Sequence, residues 1–211
     1  MYLSTKSANK RTFKTVPPGS HLGRLYRIVD IGTQQGTWQD KIIQQRKLIF
    51  HFELHGEDMQ GAPLTTDEGK PLIVTKYYNR SLNEKSTLRK HLQAWLNIDF
   101  DKLEEGFDVK SLLGKFVMLG ITNYVDKKGE TRASVESLSP IPSIIQKAGL
   151  PEGVNPLFLF DLDKFDSEKY ESLSDGIKGL IQNSPEYRKI AQRGYEPAKQ
   201  ADDEYNDDIP F

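Results

Sequence analysis

The apolar period changes at residue 81, and that change limits the fold most. From Ile42 to Leu54 the side chains alternate, with Leu48, Phe50, Phe52 and Leu54 on one face and Lys47, Ile49, His51 and Glu53 on the other. That pattern predicts a strand with one face toward a core. Leu72 to Asn79 predicts the next strand. Ser81-Leu82-Asn83-Glu84 then reads as a capping box, in which Ser81 and Glu84 each satisfy a free N–H at a helix start. Leu88, Leu92, Trp95 and Leu96 follow at helical spacing.

Elements on either side complete the order. Residues 22 to 31 predict a first strand, with Leu25, Val29 and Ile31 on one face and Arg24 and Tyr26 on the other. Thr33 to Asp40 is polar apart from Trp38 and predicts a hairpin loop. Residues 55 to 70 hold Gly56, Gly61, Pro63 and Gly69, which mark a loop. After a short helical segment near Val109 to Leu113, Lys115 to Val125 and Glu130 to Leu138 predict two more strands around an Asp126-Lys127-Lys128-Gly129 turn. Three strands, a helix, then two strands is the order of an OB-fold, a five-stranded Greek-key barrel. The expected class is mainly β with helices (α+β), the helix lying between strands three and four.

Four segments follow from this reading. Residues 1–20 are expected to be a flexible basic arm, with Lys6, Lys10, Arg11 and Lys14 before the Pro17-Pro18-Gly19 turn. Residues 21–139 form the OB-fold domain. Residues 140–194 form a strap punctuated by Pro140, Pro142, Pro151 and Pro156, then short helices packed on the barrel. There Ser184-Pro185-Glu186 is an N-cap with proline at the first helical position, and Gly194 is a stop. Residues 195–211 are expected to be a disordered acidic tail.

The net charge of −1 conceals a partition. Residues 195–211 carry six acids and one base, which leaves the preceding body at +4. Residues 1–90 alone hold 15 basic and 8 acidic side chains. A basic half and an acidic tail suit a polyanion-binding surface with a built-in competitor. The absence of cysteine excludes disulfides, thiolate metal sites and cysteine nucleophiles. No apolar run approaches the length of a membrane span, and the N-terminus lacks the apolar core of a signal peptide.

Sequence-independent binding of single strands needs cations along a groove and exposed aromatic faces. Arg24, Tyr26 and Arg27 lie on the first strand, and Trp38 and Lys41 flank its hairpin. Lys47 is on the outer face of the second strand beside His51. Lys76, Tyr77, Tyr78 and Arg80 end the third. Tyr124, Lys127, Lys128 and Arg132 surround the last hairpin. Tyr77 and Tyr78 are adjacent, so on a regular strand only one can line the groove. Trp95, Phe50 and Phe52 read as core. His51-x-Glu53-x-His55 has the look of a metal pair but lacks a third strong ligand. No phosphate loop, nucleophile elbow or HExxH motif occurs. The expectation is a binding protein, not an enzyme, with no cofactor and no metal.

Asp202 to Phe211 holds five acidic side chains before an apolar tip, Ile209-Pro210-Phe211. Carboxylates can steer such a peptide to a basic surface, where the tip fills a pocket. Asp207-Asp208-Ile209-Pro210-Phe211 resembles the C-terminal tip of bacterial single-stranded DNA-binding proteins. The body resembles a family of tailed-phage single-stranded DNA-binding proteins in four places. These are residues 27–34 (RIVDIGTQ), 50–54 (FHFEL), 81–88 (SLNEKSTL) and 183–187 (NSPEY). The resemblance implies an OB-fold that coats single-stranded DNA in the cytoplasm of an infected bacterium, in DNA replication and recombination. It also implies that the tip recruits partners such as a helicase, primase, polymerase or nuclease. The alternative reading is a recombination mediator or strand-annealing adaptor. A metal-dependent nuclease is a weaker third.

Overall fold

The computed structural model describes residues 14–103 and 106–194. Most of the basic arm and the whole acidic tail, including Asp207 to Phe211, lie outside the described residues. Among the described residues no helix is long and apolar enough to cross a membrane.

The first strand, β1 (Gly19–Trp38), is twice the expected length. It turns through Gln39 and Asp40 into β2 (Lys41–His55). Both turn residues have positive φ, 47° and 61°, the conformation that matches the twist of a two-residue hairpin. Thr33–Trp38 is therefore strand and not loop. Polar residues pair across the hairpin arm, Gln35 opposite Gln44 and buried Gln34 opposite Gln45, with Gln34 Nε2 donating to the Leu180 carbonyl at 3.0 Å.

The expected single face for Leu25, Val29 and Ile31 is also corrected. Register shifts between Leu25 and Arg27 and between Asp30 and Gly32 insert extra residues into β1. Each such bulge sends the following side chains to the other face. Leu25 and Ile28 enter one core, and Val29 and Ile31 enter another.

The remaining elements are β3 (Ile73–Asn79), α1 (Thr87–Leu96), β4 (Phe116–Val125), β5 (Thr131–Ser139), α2 (Ser143–Ala148), β6 (Phe158–Phe160), α3 (Ser167–Glu171), α4 (Asp175–Asn183) and α5 (Pro185–Gln192). The sheet order is β3-β2-β1-β4-β5, all antiparallel, and β6 adds a parallel sixth strand along β1. Thus the fold is mainly antiparallel sheet with a few helices, and the sheet is not closed. β4 pairs with β1 at Gly19 to Arg24, whereas β6 takes the same edge at Arg27 to Val29.

Helix α1 lies across the opening between β3 and β5. The Tyr78 hydroxyl of β3 meets His91 Nδ1 at 2.8 Å, and His91 Nε2 meets the Glu136 carbonyl of β5 at 3.1 Å. Trp95 Nε1 donates to the Phe116 carbonyl of β4 at 2.9 Å. The helix starts at Thr87, with Ser86 at its N-cap, so the expected capping box does not operate. Instead Ser81 Oγ accepts from Asn83 N, Asn83 Oδ1 accepts from Lys85 N, and Ser86 Oγ donates to the Ser81 carbonyl. Short polar side chains that bond nearby backbone compete with helix in this way.

Two cores sit on opposite faces of β1 and β2. Leu25, Phe50, Phe52, Leu92, Val117 and Val135 belong to the larger. Val29 and Ile49 meet Phe160, Leu162, Tyr170 and Ile181 in the smaller. So the face of β2 that carries Lys47, Ile49, His51 and Glu53 is not an open outer face. At its joint with the C-terminal helices, Gly32 has a φ of 71°, and an added Cβ would stand 2.6 Å from Ser184 Cβ. Thr33 donates to Glu186 through N and Oγ1, at 2.9 and 2.7 Å. Ser184 Oγ caps α5 by accepting from Tyr187 N. Residues 31–34 and 183–187 are therefore partners in one structural joint.

Candidate nucleic-acid interface

Among the described residues the exposed aromatic rings, Trp38 and Tyr124, stand at the two hairpin tips, each with lysine in the same tip. At the β1–β2 tip Trp38 is 66% exposed and Ile42 is 70% exposed. Lys41 pairs directly across from Trp38 at the end of the hairpin. At the β4–β5 tip Tyr124 and Val125 are exposed, with Lys127 and Lys128 in the turn beyond them. Asp126 shapes that turn by accepting from the N–H groups of Lys128 and Glu130, both at 2.9 Å. Arg132 ion-pairs with Asp126 at 2.9 Å and with Glu130 at 2.8 Å. Those contacts, the Arg132 hydrogen bond first, hold the Asp126 carboxyl below its ordinary range. Arg132 thus acts on the shape of the tip.

Along the body of the sheet the expected contacts are engaged by the chain itself. Arg24 ion-pairs with buried Glu53 at 2.7 Å and also donates to the Asn155 carbonyl. Glu53 accepts from Val154 N at 3.0 Å, from Asn155 N at 2.7 Å and from Asn155 Nδ2 at 2.6 Å. Burial alone would raise its pKa; the bonds from Asn155 and Val154 and the Arg24 charge outweigh burial and lower it.

Tyr26 is buried at the first bulge, and burial pushes its hydroxyl pKa up. Arg27 lies over the Phe158 ring at 4.7 Å. Lys47 is half-buried, which lowers its pKa. Burial, helped by the Arg27 charge, drives His51 down to about 3, so it is neutral at physiological pH. Lys76 and Tyr77 are half-buried, and Tyr77 packs against the smaller core. Tyr78 is enclosed in the larger core, so its ring has no open face.

Arg80 belongs to an ion-pair network. It meets Asp30 at 2.9 Å and Asp163 at 3.0 Å, and Arg46 meets the same two acids at 2.6 and 2.8 Å. Burial disfavours the Arg46 charge, but its bonds to Asp30 and Asp163 outweigh that and raise its pKa. Carboxylate oxygens of Asp30, Asp161 and Asp163 lie within 4.8 Å of one another. The two guanidiniums draw Asp30 and Asp163 together, and Asp161 Oδ1 accepts from Asp163 N at 3.1 Å. Beside the network is a cleft of about 310 Å³, walled by Ile28, Leu48 and Phe107 and edged by Arg80, Lys110 and Asp161. The sequence-level His51-Glu53-His55 set is not convergent: His51 Nδ1 meets Thr75 Oγ1 at 3.1 Å, while His55 meets Glu53 at 3.2 Å.

The structure therefore groups the expected site residues into three sets. Trp38, Lys41, Tyr124, Lys127 and Lys128 are presented at hairpin tips. Arg24, Tyr26, Arg27, Lys47, Lys76 and Tyr77 lie along β1, β2 and β3, Arg24 and Arg27 touching residues 155–158. Tyr78, Arg80 and Arg132 are tied into internal contacts. Sequence reasoning places Glu53 only between two histidines of a metal-like pattern and does not reach Phe158, although an acid flanked by Phe52 and Leu54 in a buried strand is a usable signal for an internal ion pair. A separate exposed apolar group runs through residues 144–157, with Ile144, Leu150, Val154 and Leu157 at its exposed positions.

No protein-family model matches the chain, and no curated protein matches it either.

Proposed function

We propose that this protein binds single-stranded DNA with little sequence preference and acts in phage DNA replication and recombination. The observation that carries the reading is the pair of hairpin tips. One carries Trp38 with Lys41 and the other Tyr124 with Lys127 and Lys128, an exposed aromatic ring with cationic side chains, the combination that stacks bases and meets phosphates. The strand order β3-β2-β1-β4-β5, with α1 entering between β3 and β4, supports an OB-type architecture. In that reading α1 completes the ring between β3 and β5, and the β1–β2 and β4–β5 hairpins are the loops that flank the bound strand. The protein has no catalytic role and needs no cofactor. Its place is the cytoplasm of the infected host.

The tip Asp207 to Phe211 recruits a replication or recombination enzyme, on the strength of its acidic-to-apolar design. The exposed apolar positions at Ile144, Leu150, Val154 and Leu157 favour, as a second reading, a strand-annealing adaptor whose main business is protein contact.

The chain has two tryptophans, and Trp95 is 5% exposed. Intrinsic fluorescence quenching by oligo-dT therefore reports Trp38. Binding should quench it, and affinity should fall steeply as salt rises, because phosphate contacts release counterions. Absence of both quenching and salt dependence would count decisively against the reading. Truncation after residue 201 should leave oligo-dT affinity equal or higher while a replication enzyme is no longer captured. A large loss of DNA affinity in the truncated protein would remove the tail's assigned role. Annealing of complementary strands separates the adaptor from a plain coating protein.

A further inference from the structure

Among the described arginines, Arg27 stands apart. Arg24, Arg46, Arg80, Arg89 and Arg132 each have a carboxylate partner. Arg188 and Arg193 are exposed to solvent. Arg27 is half-buried, and no acidic side chain among the described residues pairs with it. Among the described residues its guanidinium lies against the Phe158 ring, and its enclosed Nε meets no acceptor there. Directly opposite on β2 is His51, whose Nε2 is likewise enclosed and without a partner.

A half-buried cation whose enclosed Nε–H is unmet is costly unless something else supplies the acceptor. A water molecule can meet a hydrogen bond there but cannot balance the charge. The His51 ring is oriented by Thr75, whose Oγ1 lies 3.1 Å from Nδ1. The Thr75 hydroxyl can donate to Nδ1 or accept from it; the site requires the first tautomer, in which the ring proton sits on Nε2 and makes it a donor. Arg27 and His51 together offer a guanidinium fork and one neutral N–H at adjacent cross-strand positions.

The location is equally particular. On this face, residues 154–155 cover the row of Arg24 and Glu53. Phe160 and the helices beyond it cover the row of Val29 and Ile49. Between those two covered rows lies Arg27–His51–Thr75.

We infer that Arg27 and His51 form a binding site for one phosphoryl group, a phosphodiester of the single strand. The inference rests on the proposed DNA binding and deepens it. It assigns a fixed phosphate contact midway along β1, where Arg27 supplies the charge and the bidentate fork and His51 a fixed donor.

The test uses full-length protein with oligo-dT and inorganic phosphate as separate probes. Arg27→Ala should weaken oligo-dT binding about tenfold and reduce the slope of log affinity against log salt by about 0.7, the loss of one phosphate contact on a single strand. Arg27→Lys should keep most of the slope but not the affinity, since it keeps the charge without the fork. In the wild-type protein, nitrogen NMR of the His51 ring should shift with oligo-dT, and more weakly with millimolar phosphate. That measurement stands even if Arg27→Ala does not fold. Unchanged affinity and slope in Arg27→Ala, with His51 unmoved by either probe, overturn the site while wild-type DNA binding keeps the functional reading intact. A His51 shift with inorganic phosphate in a protein that does not bind oligo-dT keeps a free-phosphoryl site and overturns the functional reading.

Discussion

Glu53→Ala is expected to destabilise the fold by about 3–5 kcal/mol, the cost of removing one partner from a buried ion pair. Glu53 is wholly buried and is the acceptor for three N–H groups of residues 154 and 155. It is also the ion-pair partner of Arg24, whose side chain is only 12% exposed. Alanine would leave the Arg24 cation with the Asn155 carbonyl as its remaining acceptor. Urea unfolding measures the loss. Amide exchange should quicken first at Val154 and Asn155, because their anchor is gone while the Phe50 and Phe52 core persists. Glu53→Gln keeps the shape and one acceptor oxygen, so its loss should be smaller, about 1–3 kcal/mol. A loss below about 1 kcal/mol in the alanine variant would mean that residues 154–155 are not held through Glu53.

The pH dependence has a definite sign. The Glu53 pKa in the folded protein lies below its ordinary 4.5. Its stabilising contribution is therefore complete above about pH 4.5 and is lost as pH falls through the lower folded value. Wild-type stability should drop more steeply than that of Glu53→Gln in this acid window.

The contrast between what was legible and what was not follows one physical line. The alternation Leu48-Phe50-Phe52-Leu54 and the helical stripe Leu88-Leu92-Trp95 specify burial directly, and each lies in the larger core. The bulge near Tyr26 does not change composition, so the sequence period puts Val29 and Ile31 on the face of Leu25 when they lie on the other. The polar arm Thr33–Trp38 has no apolar period because its pairing is stabilised by strand-to-strand bonds rather than by a core. The smaller core did leave a trace: Val29 and Ile49 are apolar at positions assigned to opposite faces, and a covering layer reconciles them. The exposed positions of Trp38, Lys41, Tyr124 and Lys127 are legible in the sequence because residues at hairpin tips need no distant partner. Arg24, Tyr78 and Arg80 were not, because Asn155, His91 and Asp163 reach them from 131, 13 and 83 positions away. A cation counted from sequence is available to a ligand only after such internal partners have been subtracted.

Trp38→Ala should weaken oligo-dT binding by roughly 5- to 150-fold, the range for losing one base–aromatic stack worth about 1–3 kcal/mol. The indole is two-thirds exposed, so its removal should leave folding stability within about 0.5 kcal/mol of wild type. That separation makes the result interpretable: a large binding loss without a stability loss assigns the ring to the ligand. Trp38→Phe should recover part of the affinity, since a smaller ring still stacks. Lys41 stands directly opposite in the hairpin, so Lys41→Ala should flatten the salt dependence, whereas Trp38→Ala should leave the slope nearly unchanged. Anisotropy of labelled oligo-dT is the suitable measurement, because the variant lacks the intrinsic reporter. The remaining tryptophan is silent in this comparison: Trp95 is buried, with its N–H committed to the Phe116 carbonyl. Equal affinity of Trp38→Ala and wild type would show that the exposed ring does not stack on bases. The β4–β5 tip, through Tyr124, would then have to bear the whole of the aromatic contact.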